Sequence, residues 1–244
     1  MIDKHVLFLL GDSTCSPYKL SERPRTGWGE EFYHFVNDDW IVDDRAISGR
    51  STKSFIAEGA FDRVIKDAKE GDVAIIQFGH NDPKPDEARF SDPYTGYVDN
   101  LVYMYQEFQK KGVDVYFASS IARRQFAPDG TICWTHGEYP AAMHYAAFKV
   151  NRPCINTSVV TMVELQKYGD EGSKRFFMNF PSGVYENYPE GSKDNTHLTS
   201  EGARWVSYLV ARELSRVEPR PVFLSSNIQE SWHEEDVTGL EVAP

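Results

Sequence analysis

The sequence predicts an α/β protein, built as a three-layer α/β/α sandwich around a five-stranded, mostly parallel sheet. Two observations favour this class. Short apolar segments such as residues 6–10 and 73–78 each end at a glycine, and longer segments with helical apolar spacing separate them. Strands that alternate with helices favour a parallel sheet with right-handed crossovers and helices on both faces.

The predicted strands lie at residues 6–10, 40–46, 73–78, 113–119 and 153–157. The first and third are apolar almost throughout, which is typical of strands buried on both faces of a sheet. The predicted helices lie at residues 28–36, 51–66, 97–111, 140–150, 159–168 and 200–214. Gly112 is the expected C-cap of the third helix and Thr199 the N-cap of the last. Gly59 weakens the second helix, and residues 122–139 and 181–196 are interpreted as loops.

The chain length and composition indicate one globular domain. The 244 residues suffice for a sizeable core, and neither repeats nor a low-complexity linker divides them. We therefore expect a single domain over residues 1–217, followed by a tail over 218–244 that lies on the surface or is partly disordered. The net charge of −11 argues against binding to nucleic acid or to an anionic membrane.

Cysteine usage and hydropathy bear on the compartment. Three cysteines, an odd number, provide no disulfide framework. The apolar run near the N-terminus is too short for a secretory signal, and no window approaches the roughly 20 apolar residues of a membrane span. We expect a cytoplasmic protein that does not act on membranes.

Ser13 follows the first strand in the sequence Gly-Asp-Ser, at the sheet edge where ligands of parallel α/β proteins bind. A serine nucleophile needs a base, a group that orients the base, and donors for the oxyanion. His197 is the candidate base, and Asp194 is spaced to bond its Nδ1 and leave Nε2 facing Ser13. Each residue also has a structural interpretation, since Asp and Ser are common in turns and a histidine near a helix start is often a surface residue.

Three groups are candidate donors for an oxyanion hole: the backbone N–H groups of Ser13 and Gly49 and the side-chain amide of Asn81. As alternatives, Gly49 forms a tight turn and Asn81 an Asx-turn. This chemistry requires no cofactor and no metal, and no His-x-x-x-His or Cys-x-x-Cys spacing indicates a metal site. Cys15 is a rival nucleophile that lacks a cysteine–histidine signature.

Four blocks, in order along the chain, resemble those of the SGNH (GDSL-type) hydrolases. They are Gly11-Asp12-Ser13, Gly49, Gly79-x-Asn81-Asp82 and Asp194-x-x-His197. Further segments resemble the rhamnogalacturonan acetylesterase branch of that family, and these are Gly27-Trp28-Gly29, Ser48-Gly49-Arg50, Gln77-Phe78-Gly79-His80 and Arg123-Arg124. One departure is Ser48, at a position where a second small residue, often glycine, is expected, and another is the tail after Arg212, which is longer than the pattern requires.

The resemblance extends from Gly11 to about Arg212 and implies a flavodoxin-like SGNH hydrolase fold. It also implies residue roles: Ser13 as nucleophile, His197 as base, Asp194 as its orienter, and Ser13, Gly49 and Asn81 as oxyanion donors. His80 and Asp82 are expected to brace the loop of Asn81.

Contacts to substrate are expected from arginine, aromatic and histidine side chains. Guanidinium groups suit uronate carboxylates, and rings stack on or bond to a sugar. The candidates are Arg50, Arg123, Arg124, Trp134, His136 and Tyr139. For each of them, a role in loop structure and surface ion pairs is an equally supported alternative.

These residues and the resemblance together predict a serine acetylesterase. It would remove O-acetyl groups from pectic, rhamnogalacturonan-type oligosaccharides through an acetyl-enzyme on Ser13. One alternative is an esterase of the same fold that acts on other acetylated sugars or on lipid or thioester acyl groups, although no long apolar stretch adjoins the blocks. The other is a non-catalytic sugar-binding module, which the intact Ser13, Asn81, Asp194 and His197 disfavour.

Overall fold

A five-stranded parallel sheet lies at the centre of the computed structural model, which describes residues 4–229 and residue 232. Its strands are β1 (His5–Gly11), β2 (Trp40–Asp44), β3 (Val73–Gln77), β4 (Asp114–Ala118) and β5 (Cys154–Ile155). Their order across the sheet is β2-β1-β3-β4-β5, and every neighbouring pair is parallel. The predicted fold class and all five predicted strands are confirmed.

Helices cover both faces of the sheet and form the two outer layers. They are α1 (Trp28–Glu31), α2 (Thr52–Ala57), α3 (Ala60–Asp67), α4 (Val98–Lys110), α5 (Tyr139–Lys149), α6 (Thr157–Ser173) and α7 (Ser200–Leu214). Side chains of β1 alternate between the faces, as the period of a strand requires. Leu7 and Leu9 join a core with α1, α6 and α7, whereas Phe8 and Leu10 join one with α2, α3, α4 and α5.

Two of the predicted helices are interrupted. The helix predicted over 51–66 is split into α2 and α3, because Gly59 adopts the left-handed region at φ +70°. The helix predicted over 28–36 is one turn of α-helix continued by a 3-10 helix at Phe32–Phe35. The predicted cap of α7 is confirmed, since the Gly202 N–H donates to the Thr199 side chain at 3.2 Å.

An antiparallel ribbon precedes α7 and consists of β6 (Phe177–Phe180) and β7 (Ser192–Leu198). The prediction of a loop over 181–196 is therefore wrong for its last five residues. The sequence of β7 is polar and lacks the alternation that predicts a strand, so only its pairing with β6 reveals it. Consequently Asp194 and His197 are held on a strand.

Part of the predicted C-terminal tail contributes to the core. Phe223 is fully buried, with its ring edge against Trp40 and Tyr116. Leu224 forms a bridge with Val36. The packed domain thus continues beyond residue 217, because these two apolar side chains cover the edge near β2; residues 230–231 and 233–244 of the predicted tail lie outside the described residues. Within the described chain, no helix has the length and hydropathy needed to cross a membrane.

Candidate active site

Ser13 lies in the turn that directly follows β1. The carbonyl of Asp12 accepts hydrogen bonds from the N–H groups of Cys15 at 3.1 Å and Ser16 at 3.0 Å, which closes this turn. Gly11 permits the tight approach, because a Cβ there would lie 2.9 Å from the Gln77 carbonyl. The Ser13 side chain is thus held at the carboxyl edge of the sheet.

His197 and Asp194 complete a chain of contacts to Ser13. His197 Nε2 lies 2.9 Å from Ser13 Oγ, although the two residues are 184 positions apart. On the other side of the ring, Nδ1 lies 2.6 Å from Asp194 Oδ2. The structure therefore brings together the three residues that the sequence predicted as nucleophile, base and orienting acid.

Asp194 is fixed by its own local turn. Its Oδ1 accepts hydrogen bonds from the backbone N–H groups of Thr196 at 2.8 Å and His197 at 3.0 Å. Burial by itself would raise the pKa of Asp194, but the hydrogen bonds and charge of His197 outweigh burial and lower that pKa to about 2. The carboxylate is therefore ionised and holds the proton of His197 on Nδ1.

The loops that carry the predicted oxyanion donors are tied to the Ser13 turn: the Ile47 N–H donates to the Gly11 carbonyl at 3.0 Å, and His80, next to Asn81, contacts Asp12. Gly49 has a φ of +79°, a conformation that favours glycine, and open space faces its Cα. Asn81 donates from Nδ2 to the Arg50 carbonyl at 3.1 Å, which orients the amide. Among the described residues, the N–H groups of Ser13 and Gly49 donate to no other protein group. Free, oriented N–H groups of this kind can receive a developing oxyanion.

A buried contact between Asp12 and His80 supports the Ser13 turn. Asp12 is fully buried, and its Oδ2 lies 3.1 Å from His80 Nδ1. Its Oδ1 accepts from the N–H of Thr14 at 3.0 Å and from the hydroxyl of the same residue at 2.9 Å. Burial opposes ionisation of Asp12, but His80 and these hydrogen bonds lower its pKa below the ordinary value. The pair joins the turns after β1 and β3 and so fixes Ser13 relative to Asn81.

Asp82 braces the neighbouring loop onto the start of α2. Its Oδ1 accepts from the N–H of Thr52 at 2.9 Å and from the Thr52 hydroxyl at 2.6 Å. Its Oδ2 is buried and has no hydrogen-bond partner among the described residues. Burial raises the pKa of Asp82 to about 7.

The three arginines proposed as substrate contacts are all engaged by the protein itself. Arg50 pairs with Glu58 at 2.8 Å, and Arg123 donates to the carbonyls of Thr135 and His80. Arg124 is buried and bonds Ser173, Asn195 and Asp170. For Arg124 the structural alternative is thus supported, because its whole fork is occupied inside the fold next to β7.

Of the other predicted substrate contacts, one is exposed and two are buried. Trp134 is 47% exposed and is the one of these side chains that remains open to a ligand. Tyr139 is buried, with its hydroxyl donating to the Ser91 carbonyl at 2.8 Å. His136 is buried edge-on against His80, and burial lowers the pKa of His136 to about 2. Tyr139 and His136 therefore belong to the packed structure beneath the site. Neither side chain is exposed for direct contact with a sugar.

Cys15, the rival nucleophile, is fully buried. Burial and the nearby carboxylates of Asp44 and Asp12 raise its pKa well above the ordinary value, so its thiol remains protonated. Among the described residues, no cluster of three or more His, Cys, Asp or Glu side chains is arranged to hold a metal ion.

The structure adds two residues that the sequence did not indicate. Tyr18 donates its hydroxyl to the Ser13 carbonyl at 2.6 Å, and Arg25 lies over the Tyr18 ring at 4.5 Å. Both come from the polar segment after Ser13, which has no periodicity or motif that could have identified them. Their proximity to Ser13 follows only from the tertiary fold.

Comparison with known proteins agrees with this geometry. Residues 9–205 match the GDSL-like Lipase/Acylhydrolase family. The chain is 38% identical over 211 residues to rhamnogalacturonan acetylesterase RhgT of Bacillus subtilis, covering 86% of this chain and 90% of that protein. It is 25% identical over 224 residues to a rhamnogalacturonan acetylesterase of Emericella nidulans, covering 82% of this chain and 81% of that one.

Solved structures show the same fold. The chain superimposes on protein YxiM of Bacillus subtilis with a TM-score of 0.75 at 22% identity, covering 88% of this chain and 57% of that protein. It superimposes on the acetylxylan esterase Axe2 of Geobacillus stearothermophilus with a TM-score of 0.59 at 15% identity, covering 91% and 97% of the two chains. At these identities the likeness concerns the fold alone.

Proposed function

The chain belongs to the GDSL-like lipase/acylhydrolase family, and from that premise we propose that it is a serine acetylesterase acting on pectic, rhamnogalacturonan-type oligosaccharides. The observation that carries the proposal is the continuous contact from Ser13 Oγ through His197 to Asp194, at 2.9 Å and 2.6 Å. The substrate class is supported by the two relatives from Bacillus subtilis and Emericella nidulans described above, both of which are named rhamnogalacturonan acetylesterases.

In the first half of the proposed reaction, Ser13 Oγ attacks the carbonyl carbon of the acetyl ester. His197 Nε2 takes the hydroxyl proton, and Asp194 stabilises the resulting imidazolium. The tetrahedral oxyanion receives hydrogen bonds from the N–H groups of Ser13 and Gly49 and from Asn81 Nδ2. The bond to the sugar oxygen then breaks, and His197 returns its proton to that oxygen, which leaves as the free sugar hydroxyl.

In the second half, water attacks the acetyl-enzyme. His197 takes a proton from the water, the same three donors stabilise the second oxyanion, and the bond to Ser13 Oγ breaks with the proton returning to that oxygen. Acetate is released and Ser13 is regenerated. Each oxyanion donor is expected to contribute about 3–4 kcal/mol of transition-state stabilisation.

Acetate release from acetylated rhamnogalacturonan oligosaccharides tests the proposal, with Ser13→Ala beside the wild type. We expect the variant to lose at least about 10⁴-fold in kcat, because the nucleophile is absent. Ser215→Ala is the matched control, because among the described residues the Ser215 hydroxyl, just after α7, bonds only the Arg212 carbonyl. Rapid quenching of the wild type should show one acetyl group on the peptide that contains Ser13.

Two outcomes distinguish the reaction from the substrate. Turnover that survives in Ser13→Ala contradicts the assignment of the nucleophile. Hydrolysis of an aryl acetate through Ser13, without release from the pectic oligosaccharide, retains the serine esterase and rejects the pectic substrate. A rate that rises from acetyl to longer acyl esters would favour the lipid or thioester alternative.

A further inference from the structure

Arg25 differs from the other arginines around the site because its guanidinium has no hydrogen-bond acceptor among the described residues. Arg23, two positions earlier, pairs with Glu30 at 2.6 Å. The guanidinium of Arg25, in contrast, enters no ion pair and no hydrogen bond with any other described residue, and its Nε is buried without a partner. A partly buried guanidinium that lacks a counter-charge is unusual, since buried charges are normally paired.

The position of Arg25 is fixed by a stack on Tyr18. Its guanidinium carbon lies 4.5 Å from the centre of the Tyr18 ring, and such a stack leaves the N–H groups in the guanidinium plane free. The Tyr18 hydroxyl in turn donates to the Ser13 carbonyl at 2.6 Å. Arg25 is therefore two contacts away from the proposed nucleophile.

The same segment is tied to the strand that carries His197. The N–H of Thr26, next to Arg25, donates to the carbonyl of Leu198 at 3.1 Å. Tyr188 lies within electrostatic range of this segment: burial raises the pKa of Tyr188, the charge of Arg25 opposes that rise, and the charges of Glu22 and Asp194 add to it. The segment of Arg25 is thus joined to Ser13 through Tyr18 and to the strand of His197 through Thr26.

The other arginines considered as substrate contacts already bond to groups of the protein itself. Arg50 is paired with Glu58, and Arg124 with Asp170. Arg123 uses its donors on the carbonyls of Thr135 and His80, and it faces the buried charge of Asp12. The chain as a whole carries a net charge of −11, which disfavours an anionic ligand at long range. An anionic substrate therefore needs a local cation, and of these arginines Arg25 alone has a guanidinium without a hydrogen bond or ion pair to any described residue.

We propose that Arg25 binds the carboxylate of a uronate residue adjoining the acetylated sugar and thereby selects acidic over neutral acetylated oligosaccharides. The inference rests on the proposed acetylesterase function and deepens it. A planar guanidinium edge fits a carboxylate with two parallel hydrogen bonds, and the pair is strengthened where water is partly excluded. The stack on Tyr18 holds the fork ready, so little side-chain freedom is lost on binding.

The test compares two forms of one substrate: an acetylated oligosaccharide that contains galacturonate, and the same oligosaccharide with its carboxylates reduced to alcohols. The quantity measured is the ratio of kcat/KM for the acidic form to kcat/KM for the neutral form. In Arg25→Gln this ratio should fall about tenfold or more, mainly through KM, because a charge-assisted bond to the acidic form is lost. Raising the ionic strength should lower the wild-type ratio and affect the variant less.

Two further variants make the result specific. Arg25→Lys keeps the charge but not the fork, and it should recover part of the ratio. Arg63→Gln, on the exposed face of α3, changes the net charge by the same amount and should leave the ratio at the wild-type value. Thermal melts of all variants establish that each is folded.

The outcomes separate this inference from the function on which it rests. A ratio in Arg25→Gln equal to that in Arg63→Gln overturns the role of Arg25 while the acetylesterase stands. An equal loss on the acidic and neutral substrates also overturns it, since Arg25 would then act on the shape of the site. If the wild type releases no acetate from either form, the proposed substrate and this inference fall together.

Discussion

Replacing Asp194 by asparagine is expected to disable the Ser13–His197 pair while barely changing its shape. In the structure Asp194 Oδ2 holds the proton of His197 on Nδ1, and Nε2 is left as an acceptor 2.9 Å from Ser13 Oγ. An amide at position 194 keeps an oxygen for the N–H groups of Thr196 and His197, but it turns an NH₂ group toward Nδ1. The imidazole then carries its proton on Nε2 and cannot accept the proton of Ser13.

We expect this loss of the correct tautomer to lower kcat about 10⁴-fold, which corresponds to about 5.5 kcal/mol of transition-state stabilisation. KM should change little, because the oxyanion donors and Arg25 are untouched. The assay is steady-state hydrolysis of an aryl acetate at neutral pH. Asp129→Asn is the matched control, since Asp129 forms the same kind of turn, accepting the Thr131 N–H at 2.9 Å, without a histidine partner.

The acid side of the pH profile supplies a second check on the same residue. The pKa of Asp194 is lowered to about 2, below the ordinary value of an unfolded aspartate. The stabilisation from its carboxylate is therefore present above that ordinary value and is lost as the pH falls toward about 2. A kcat within tenfold of wild type for Asp194→Asn would refute this reasoning.

Two further predictions concern buried features around the site. Asp82 has a pKa raised to about 7 by burial, so wild-type stability should fall as the pH rises from about 4 to about 7; in Asp82→Asn, thermal melts should show this fall removed, and an unchanged pH dependence would contradict the burial of the charge. In Gly202→Ala the new Cβ would overlap the Phe176 carbonyl, so urea melts should show a loss of about 3 kcal/mol. Gly172→Ala, with its nearest contact at 3.7 Å, should be neutral or stabilising by up to about 1 kcal/mol, and equal effects of the two variants would contradict the close approach.

The parallel sheet was predictable mainly from β1 and β3, the central strands, which are buried on both faces. Apolar runs such as those of β1 and β3 leave few other interpretations, and a glycine marks the end of each run. The β6–β7 ribbon was not predictable in the same way. Strand β7 is polar and only partly buried, so it carries neither the alternation of an amphipathic strand nor an apolar run. Its conformation is imposed by pairing, which a single sequence does not display.

In the site, likewise, the residues in short motifs were predictable and the substrate contacts were not. Ser13, Asp194 and His197 stand in short motifs whose chemistry requires those residue types, and the structure brings them together. Arg124 and Tyr139 were candidates for substrate contact because a guanidinium suits a uronate carboxylate and a tyrosine ring can stack on or bond to a sugar. Both are instead buried, since the loop folds back and uses their polar groups to satisfy Asp170 and the Ser91 carbonyl. Composition indicates which groups are available, but not on which side of a loop they are used.

The geometry of the site depends on contacts between the two ends of the domain. Ser13 follows β1 and His197 precedes α7, so their separation is set by how α7 packs against α1. The hydroxyl of Ser207 on α7 donates to the Trp28 carbonyl, and Trp28 Nε1 donates to Gln77 Oε1 at 3.1 Å, next to the turn of Asn81.

A change that shifts α7 therefore moves the base relative to the nucleophile before it disturbs the sheet. Displacement by about 1 Å can cost about 10²-fold in rate. Gly202→Ala pushes the start of α7 away from Phe176, only five residues after His197. For that reason the variant should lose kcat under conditions in which it remains folded, and a folded variant with wild-type kcat would show that β7 holds His197 independently of α7.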